Sequence, residues 1–195
     1  MTAQAVLTGL HVTLEPLTKA HKEGLRSAAD DERIWTWTLV RAIGSGFDLW
    51  FSDVMDQKDH ATAVPFAVRR RSDGRLVGST SFLDINRRHC RIEIGSTWYS
   101  PDTWGTIINP ESKLLLMAHA FEGLGMHRVA FVTDELNERS QRAIAKLGAT
   151  REGILRSHMV SQHGRVRNSV VFSVTSPEWP AVRSRLVKRV VPAQA

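Results

Sequence analysis

The stretch "NERSQRAIAKLGATREGILR", residues 137–156, contains a helix, the end of that helix and the start of a strand. Asn137 suits the position that caps a helix, apolar residues follow at helical spacing, and Gly148 suits the position just after the last turn. The neighbouring residues alternate or cluster as strands do: "RVAFVTD" (128–134) before the helix, and "ATREGILRSHMVS" (149–161) and "RVRNSVVFSV" (165–174) after it. The pattern predicts the order β-α-β-β for this half of the chain.

A second helix is predicted directly upstream, over residues 109–124. Asn109 suits its N-cap, Pro110 suits its first helical position, and Glu111 suits the positive end of the helix dipole. Its apolar residues cover more than one stripe, which is typical of a helix buried against a sheet.

The first hundred residues predict one strand, then helices, then three more strands. "LHVTLEPL" (10–17) alternates as a strand, and residues 18–38 have the spacing of one or two short helices. Residues 45–58 indicate another helix, and the pair Asp73-Gly74 marks a hairpin ahead of the strand "RIEIGSTWY" (91–99). The full order, β-α-α-β-β-β-α-β-α-β-β, predicts a mixed α/β fold in which one sheet carries helices on both faces. With 195 residues, we expect one domain over 1–195.

Composition limits the class of protein. The net charge of +6 favours an anionic ligand, but the basic runs, such as "RRRSDGR" (69–75), lack the interleaved aromatics of a single-strand nucleic-acid surface, so we predict no nucleic-acid partner. The eight histidines and the single cysteine show no metal-ligand spacing, so we predict no metal, and Cys90 is interpreted as a packed strand residue. No long apolar run or leader segment is present, so we expect a cytoplasmic protein without a membrane partner.

The stretch quoted above also carries a family resemblance. Asn137-x-x-Ser140, followed by Ala143-Ile144-x-Lys146-Leu147-Gly148-Ala149 ahead of a strand pair, resembles the GNAT superfamily of acyl-CoA N-acyltransferases, and most of all the branch of the ribosomal-protein alanine N-acetyltransferases. The resemblance extends from about Leu10 to Trp179. It implies a mostly antiparallel seven-stranded sheet, acetyl-CoA (coenzyme A) as the bound cofactor, and an amine acceptor that is a protein N-terminus or a small molecule. A homodimer is also compatible with it.

The phosphate loop departs from the family pattern. The family usually has Q/R-x-x-G-x-G/A, whereas "WGTIIN" (104–109) has no glycine at the two signature positions; Gly105 offers the flexible position two residues early. In the family, backbone N–H groups of this loop bind the pyrophosphate at a helix N-terminus. The resemblance therefore implies cofactor contacts from the loop and the start of its helix, at Trp104, Gly105, Thr106, Ile107, Ile108, Asn109, Glu111, Ser112 and Lys113. It implies further contacts at Thr97 and Trp98, where the strand splays, and at Asn137 and Ser140.

Two residues are candidates for proton transfer. Glu93 lies between Ile92 and Ile94 in a strand, where burial would raise its pKa toward that of a general base; the alternative is a structural salt bridge to Arg91 or to a neighbouring strand. Many relatives use a tyrosine one turn after Ser140 as the acid, but Ile144 stands there, which leaves Ser140 as the candidate donor. The alternative for Ser140 is an ordinary helix N-terminal serine.

For the acceptor side, Trp35 and Trp37 lie where the resemblance implies an acceptor wall, and Arg156 is a further candidate contact. Core packing is the alternative for the tryptophans, and surface charge is the alternative for Arg156. The leading function is an N-acetyltransferase that works by direct transfer in a ternary complex. The alternative is a non-catalytic acyl-CoA-binding or regulatory module, which the missing glycines and the missing tyrosine suggest.

Overall fold

The computed structural model describes residues 5–191, which form one eight-stranded sheet in the order β1-β2-β3-β4-β5-β6-β8-β7. The strands are β1 Leu7–Thr8, β2 Val12–Pro16, β3 Ala63–Arg70, β4 Leu76–Asn86, β5 Arg91–Tyr99, β6 Arg128–Asp134, β7 Thr150–Val160 and β8 Val166–Thr175. The helices are α1 Lys22–Ala29, α2 Gly46–Asp59, α3 Ile108–Ala118 with a following π-helical turn His119–Gly123, α4 Glu138–Ala145 and α5 Trp179–Val190.

The mixed, mostly antiparallel sheet expected from the sequence is confirmed. Each pair of neighbouring strands is antiparallel except β5 and β6, which run parallel. The sheet has eight strands rather than seven because Leu7 and Thr8 pair with Leu14 and Thr13 as a short edge strand. Helix α5 is absent from the predicted element order, although the basic run at residues 183–189 indicates the face of a C-terminal helix, which α5 confirms.

Helices cover both faces of the sheet, and each face has its own core. One core joins α3 and α5 to the sheet through Leu116, Met117, Val182 and Leu186, all at most 1% exposed. The other joins α1 and α2 to the opposite face through residues such as Leu25. Side chains alternate between these cores because successive residues of a strand point to opposite faces.

Two local predictions were wrong. Helix α3 begins at Ile108, so Asn109 lies in its first turn instead of capping it, and no side chain caps this end. The helix tolerates Pro110 at its third position because the first N–H groups of a helix have no partner within it. Cys90 lies in the turn between β4 and β5 rather than in a strand, with a backbone φ of 47°.

The sheet opens between its two parallel strands. β5 and β6 pair only at Arg91↔Arg128, Ile92↔Val129 and Glu93↔Ala130, although both strands continue. On its other side β5 stays paired with β4, with a register shift opposite Thr80 and a positive φ of 45° at Ser96, which marks a β-bulge. The bulged β5 thus departs from β6 after Glu93 and leaves a groove between them, which we call the splay.

Candidate active site

Glu93 lies at the last paired position before the splay and has no hydrogen-bond or ion-pair partner among residues 5–191. The alternative of a salt bridge to Arg91 does not hold, because Arg91 pairs with Asp84. Burial raises the pKa of the Glu93 carboxyl to about 7, and the charge of Asp84 adds to the rise, whereas Arg167 lowers it. A carboxyl with a pKa near neutrality can accept a proton at physiological pH.

Gly95 provides the space that the Glu93 carboxyl occupies. A Cβ at position 95 would lie 2.8 Å from Glu93 Oε1 and 2.8 Å from Leu83 Cδ1. This close approach requires a residue without a side chain at position 95. Gly95 therefore helps to determine where the carboxyl of the candidate base lies.

A buried ionic cluster lies at the far end of β6, next to Glu93. Asp134, 1% exposed, pairs with Arg165 and has the Arg167 guanidinium 3.9 Å away. Arg167 is itself 6% exposed, and its Nε donates to Ser169 Oγ at 3.0 Å. Burial lowers the pKa of Arg167, while Asp134 and Glu93 raise it. The site is therefore a low-dielectric region with both charges present.

The loop between β5 and α3 offers free backbone donors at one end of the splay. Gly105 has a φ of +77°, a conformation that glycine adopts without strain. The N–H groups of Gly105, Ile107 and Asn109 have no acceptor within residues 5–191, and that of Ile108 has only a long 3.4 Å contact to Thr106 Oγ1. Unpaired N–H groups at a helix N-terminus favour an anion, so this part of the predicted phosphate loop is suited to phosphates.

Three predicted cofactor contacts on α3 point away from that loop. The Glu111 carboxylate, 2% exposed, accepts the backbone N–H groups of Leu10, His11 and Val12, each at 2.7 Å. Ser112 is fully buried, and its hydroxyl donates to Ile108 O at 2.8 Å. Both side chains stabilise the packing of α3 on the sheet and are engaged within the protein, so the structure gives no support to their predicted contact with a cofactor.

Lys113 is also buried, directly beneath the bulge of β5. Its Nζ donates to Thr97 Oγ1 at 2.7 Å and to Thr80 Oγ1 at 3.1 Å, and these hydroxyls lie 2.8 Å from each other. The ammonium group has no carboxylate partner among residues 5–191, and burial lowers its pKa to about 7. Lys113 therefore holds Thr97 by a hydrogen bond from inside the core, and its side chain does not reach the loop between β5 and α3.

The first turn of α4 lies on the opposite wall of the splay. Asn137 caps the helix, because its Oδ1 accepts the Ser140 N–H at 3.0 Å. The side-chain oxygen of Asn137 therefore caps the helix, which is the alternative to a cofactor contact. Its amide nitrogen has no partner within residues 5–191 and remains available to a ligand. The Ser140 hydroxyl has no partner in the same part of the chain, and the residue is half-buried.

One contact crosses the splay. Trp104, which follows β5 and donates from its indole nitrogen to Tyr99 O at 3.0 Å, packs against both cores. The Arg139 guanidinium, from the first turn of α4, lies 3.6 Å from the centre of the Trp104 ring. Sequence reasoning missed Arg139, although it stands inside the Asn137-x-x-Ser140 motif, because nothing local shows what an arginine at that position faces.

The tryptophans proposed for the acceptor wall have separate environments. Trp35 is 2% exposed, donates to Ala29 O at 3.0 Å and packs against Trp98 with ring centres 5.4 Å apart, so its place is in the core. The Trp98 ring is 5% exposed in the same core, which leaves only its backbone for a cofactor. Trp37 is 37% exposed and remains available to a ligand.

The hairpin of β7 and β8 reaches the segment that carries these tryptophans. Gln162, in the hairpin loop, donates from Nε2 to Trp35 O at 2.5 Å. Arg156 lies on β7, exposed along an open groove that Leu155, Ser157 and His158 also line. This exposed position of Arg156 is compatible both with contact to an acceptor and with an ordinary surface charge.

Residues 5–191 contain neither a metal-ligand cluster nor a membrane-spanning helix. No three His, Cys, Asp or Glu side chains are grouped as a metal site there. No helix in that range is both long and apolar enough to span a bilayer.

Comparison with known proteins identifies relatives. A family model described as an acetyltransferase (GNAT) domain matches residues 11–150. An "uncharacterized N-acetyltransferase YoaA" of Bacillus subtilis (strain 168) is 30% identical over 114 residues, which cover 58% of this chain and 63% of that relative, so the match spans less than two thirds of the relative's length. A "putative ribosomal N-acetyltransferase YdaF" of the same organism is 24% identical over 173 residues, 87% of this chain and 93% of that protein.

Solved structures share the architecture. A "putative acetyltransferase" from T. thermophilus superimposes with a TM-score of 0.88 at 33% identity, over 98% of this chain and 100% of that one. Mycobacterium smegmatis RimJ in complex with CoA-disulfide has a TM-score of 0.81 at 19% identity, over 96% and 95% of the two chains, and shares the fold. The splayed parallel strands, the free amides at the start of α3 and these matches agree, and the chain belongs to the GNAT family of acetyltransferases.

Proposed function

We propose that the protein transfers an acetyl group from acetyl-CoA to a primary amine, directly, in a ternary complex. The observation that carries the proposal is the Glu93 carboxyl: unpaired among residues 5–191, half-buried at the start of the splay, and with its pKa raised to about 7. A group kept at that pKa without an ion-pair partner is more useful to proton transfer than to stability.

The groups around the splay fit coenzyme A. The free amides of Gly105, Ile107 and Asn109 suit its pyrophosphate, and the unpaired amide nitrogen of Asn137 suits a carbonyl of its pantetheine arm. Bound acetyl-CoA would supply the activated acetyl group. The RimJ structure that shares this fold contains CoA-disulfide, which supports the cofactor class.

In the proposed reaction, Glu93 accepts a proton from the acceptor ammonium, so that the amine is neutral when it attacks. As the C–N bond forms and the C–S bond breaks, Ser140, whose hydroxyl is unpaired in residues 5–191, donates a proton to the departing sulfur and regains one from the acylated nitrogen, directly or through water, so that the products are the neutral amide and the CoA thiol. Trp37 and Arg156 are the exposed candidates for contact with the acceptor, which is a protein N-terminal α-amine or a small-molecule amine. The "ribosomal" name of YdaF favours a test with protein N-termini first.

The test is a thiol-release assay with acetyl-CoA and a panel of N-terminal peptides and small amines. For the wild type, we expect kcat/KM to rise with pH along a limb with an apparent pKa near 7. Glu93→Gln should remove that limb and lower turnover about a hundredfold, as is typical for the loss of one proton-transfer group. Ser140→Ala should lower turnover and leave the limb in place, and Glu23→Gln, an exposed carboxylate on α1, should behave as wild type.

Wild-type turnover and pH dependence in Glu93→Gln would assign the base to another group or to water. Binding of CoA without thiol release from any amine would instead support a non-catalytic acyl-CoA-binding module.

A further inference from the structure

The contact between Trp104 and Arg139 joins the two walls of the splay. Trp104 is fixed to the β5 wall, because its indole N–H bonds Tyr99 O at the end of that strand. Arg139 belongs to the opposite wall, in the first turn of α4 after β6. Since no ladder hydrogen bond joins β5 to β6 beyond Glu93, this side-chain contact spans the gap.

Arg139 differs from its neighbours in having no acidic partner. Arg142, one turn later in the same helix, pairs with Glu138 at 2.8 Å. Arg33, the other arginine near the Trp104 ring, pairs with Asp31 and lies 5.8 Å from the ring centre. The Arg139 guanidinium has no carboxylate as an ion-pair partner within residues 5–191.

The indole holds this free guanidinium in place. An arginine over the face of a tryptophan is attracted by the ring, and the planar stacking leaves the N–H groups at its rim free to donate. Partial removal from water lowers the pKa of the Arg139 guanidinium, although the group stays charged at neutral pH. The Arg139 side chain is exposed overall, and its guanidinium, covered on one side by the ring, keeps free donors with which it can bind an anion.

The anion-binding amides adjoin the same ring. Gly105, the first residue of the loop with an unpaired N–H, directly follows Trp104 in the chain. The first free amide of the loop and the Arg139 guanidinium thus both lie beside Trp104.

We propose that Arg139, supported by the Trp104 ring, is a second-wall ligand of the cofactor pyrophosphate. Its guanidinium supplies from α4 a positive charge, which residues 104–109 of the loop do not contain. The proposal rests on the proposed function, since it takes coenzyme A as the ligand.

The test measures dissociation constants of three ligands by calorimetry: CoA, 3′-dephospho-CoA, which keeps the pyrophosphate, and pantetheine, which has no phosphate. Arg139→Met should weaken CoA and dephospho-CoA equally, by about tenfold to a hundredfold, as expected for loss of charged hydrogen bonds, and leave pantetheine unchanged. Arg142→Met is the matched control, because it removes the same charge from the same helix; it should leave all three affinities at the wild-type values. Trp104→Leu should weaken the two pyrophosphate ligands in the same direction, and it should add little to Arg139→Met in the double variant, because the ring acts through the arginine.

Four results would overturn the proposal. Unchanged affinities in Arg139→Met would mean that the guanidinium does not touch the cofactor, and an equal loss for pantetheine would mean that it only supports the fold. Loss for CoA but not for dephospho-CoA would place Arg139 at the 3′-phosphate. Tighter binding in the variant would mean that the contact between Arg139 and Trp104 must be broken before the cofactor binds. Failure of the wild type to bind CoA would remove the proposed function and this proposal together, whereas wild-type binding with any of the four results removes only the role of Arg139.

Discussion

Replacing Lys113 by methionine should stabilise the protein at neutral pH and abolish part of its pH dependence. The Lys113 ammonium is buried under β5 without a carboxylate among residues 5–191, and its pKa falls from 10.5 to about 7. Methionine has a similar length and needs no hydration. The hydroxyls of Thr80 and Thr97 remain hydrogen-bonded to each other at 2.8 Å after the replacement.

The magnitude follows from proton linkage. Below pH 7 both the folded and the unfolded chain carry the proton, and the folded chain bears the full cost of the buried charge. As the pH rises from 7 toward 10.5, the unfolded chain still binds the proton that the folded chain has released, so the stability of the wild type increases. The cost is about 4 kcal/mol at pH 7 and about 1 kcal/mol at pH 10, at about 1.4 kcal/mol per pKa unit.

The assay is urea unfolding at pH 7 and pH 10 for the wild type, Lys113→Met and Lys146→Met, an exposed lysine at the end of α4. The stability difference between Lys113→Met and the wild type should shrink by about 3 kcal/mol between the two pH values. The contacts of the neutral Lys113 amine cancel in this comparison, and the change of its hydrogen bonds on deprotonation is already contained in the folded-state pKa. An equal difference at pH 7 and pH 10 would refute the reasoning, because it would mean that the ammonium stays charged in the fold without cost.

Three further outcomes are expected. Gly95→Ala should displace the Glu93 carboxyl and lower kcat at least tenfold, because proton transfer requires close geometry. Gly153→Ala is the control, because a Cβ there meets nothing within 4 Å, and equal activity in the two variants would contradict the role of Gly95. Glu111→Gln should lower the free energy of unfolding by about 2–3 kcal/mol, because the charged acceptor of three N–H groups is lost. The CoA dissociation constant measured by calorimetry should stay unchanged, and a selective loss of CoA affinity would instead make Glu111 a cofactor contact. Trp37→Ala should raise the KM of the acceptor without lowering the melting temperature, and a fall in melting temperature with an unchanged KM would make it a packing residue.

The elements of the fold were predictable because their signals are local. Asn137 caps α4 as its position before an apolar helix indicates, and the pair Asp73-Gly74 lies between β3 and β4 as a hairpin pair should. The start of α3 was misplaced by two residues, since Asn109 and Pro110 are acceptable both at the cap and inside the first turn.

The direction of side chains was less predictable, because it depends on distant partners. Glu111 has the sequence context of a phosphate loop, yet its carboxylate binds backbone N–H groups a hundred residues away in the chain. Trp35 and Trp37 are two residues apart, but a 3-10 turn ending at Ile34 sends one ring into the core and the other toward solvent. Glu93 was identifiable as a buried carboxyl in a strand, while its lack of a partner among residues 5–191 became visible only when Arg91 was found paired with Asp84.

The ladder between β5 and β6, which joins the two parts of the sheet, contains only three paired residues on each strand. Side chains add further connections around it: Phe121 stacks on Trp179 at 5.2 Å on one face, Gln162 bonds Trp35 O on the other, and Arg139 contacts Trp104 at the edge of the groove. The width of the groove is therefore set by replaceable side chains and not by strand register. A substitution at one of these positions can therefore change the shape of the groove while the hydrogen bonds of the strand ladders stay intact.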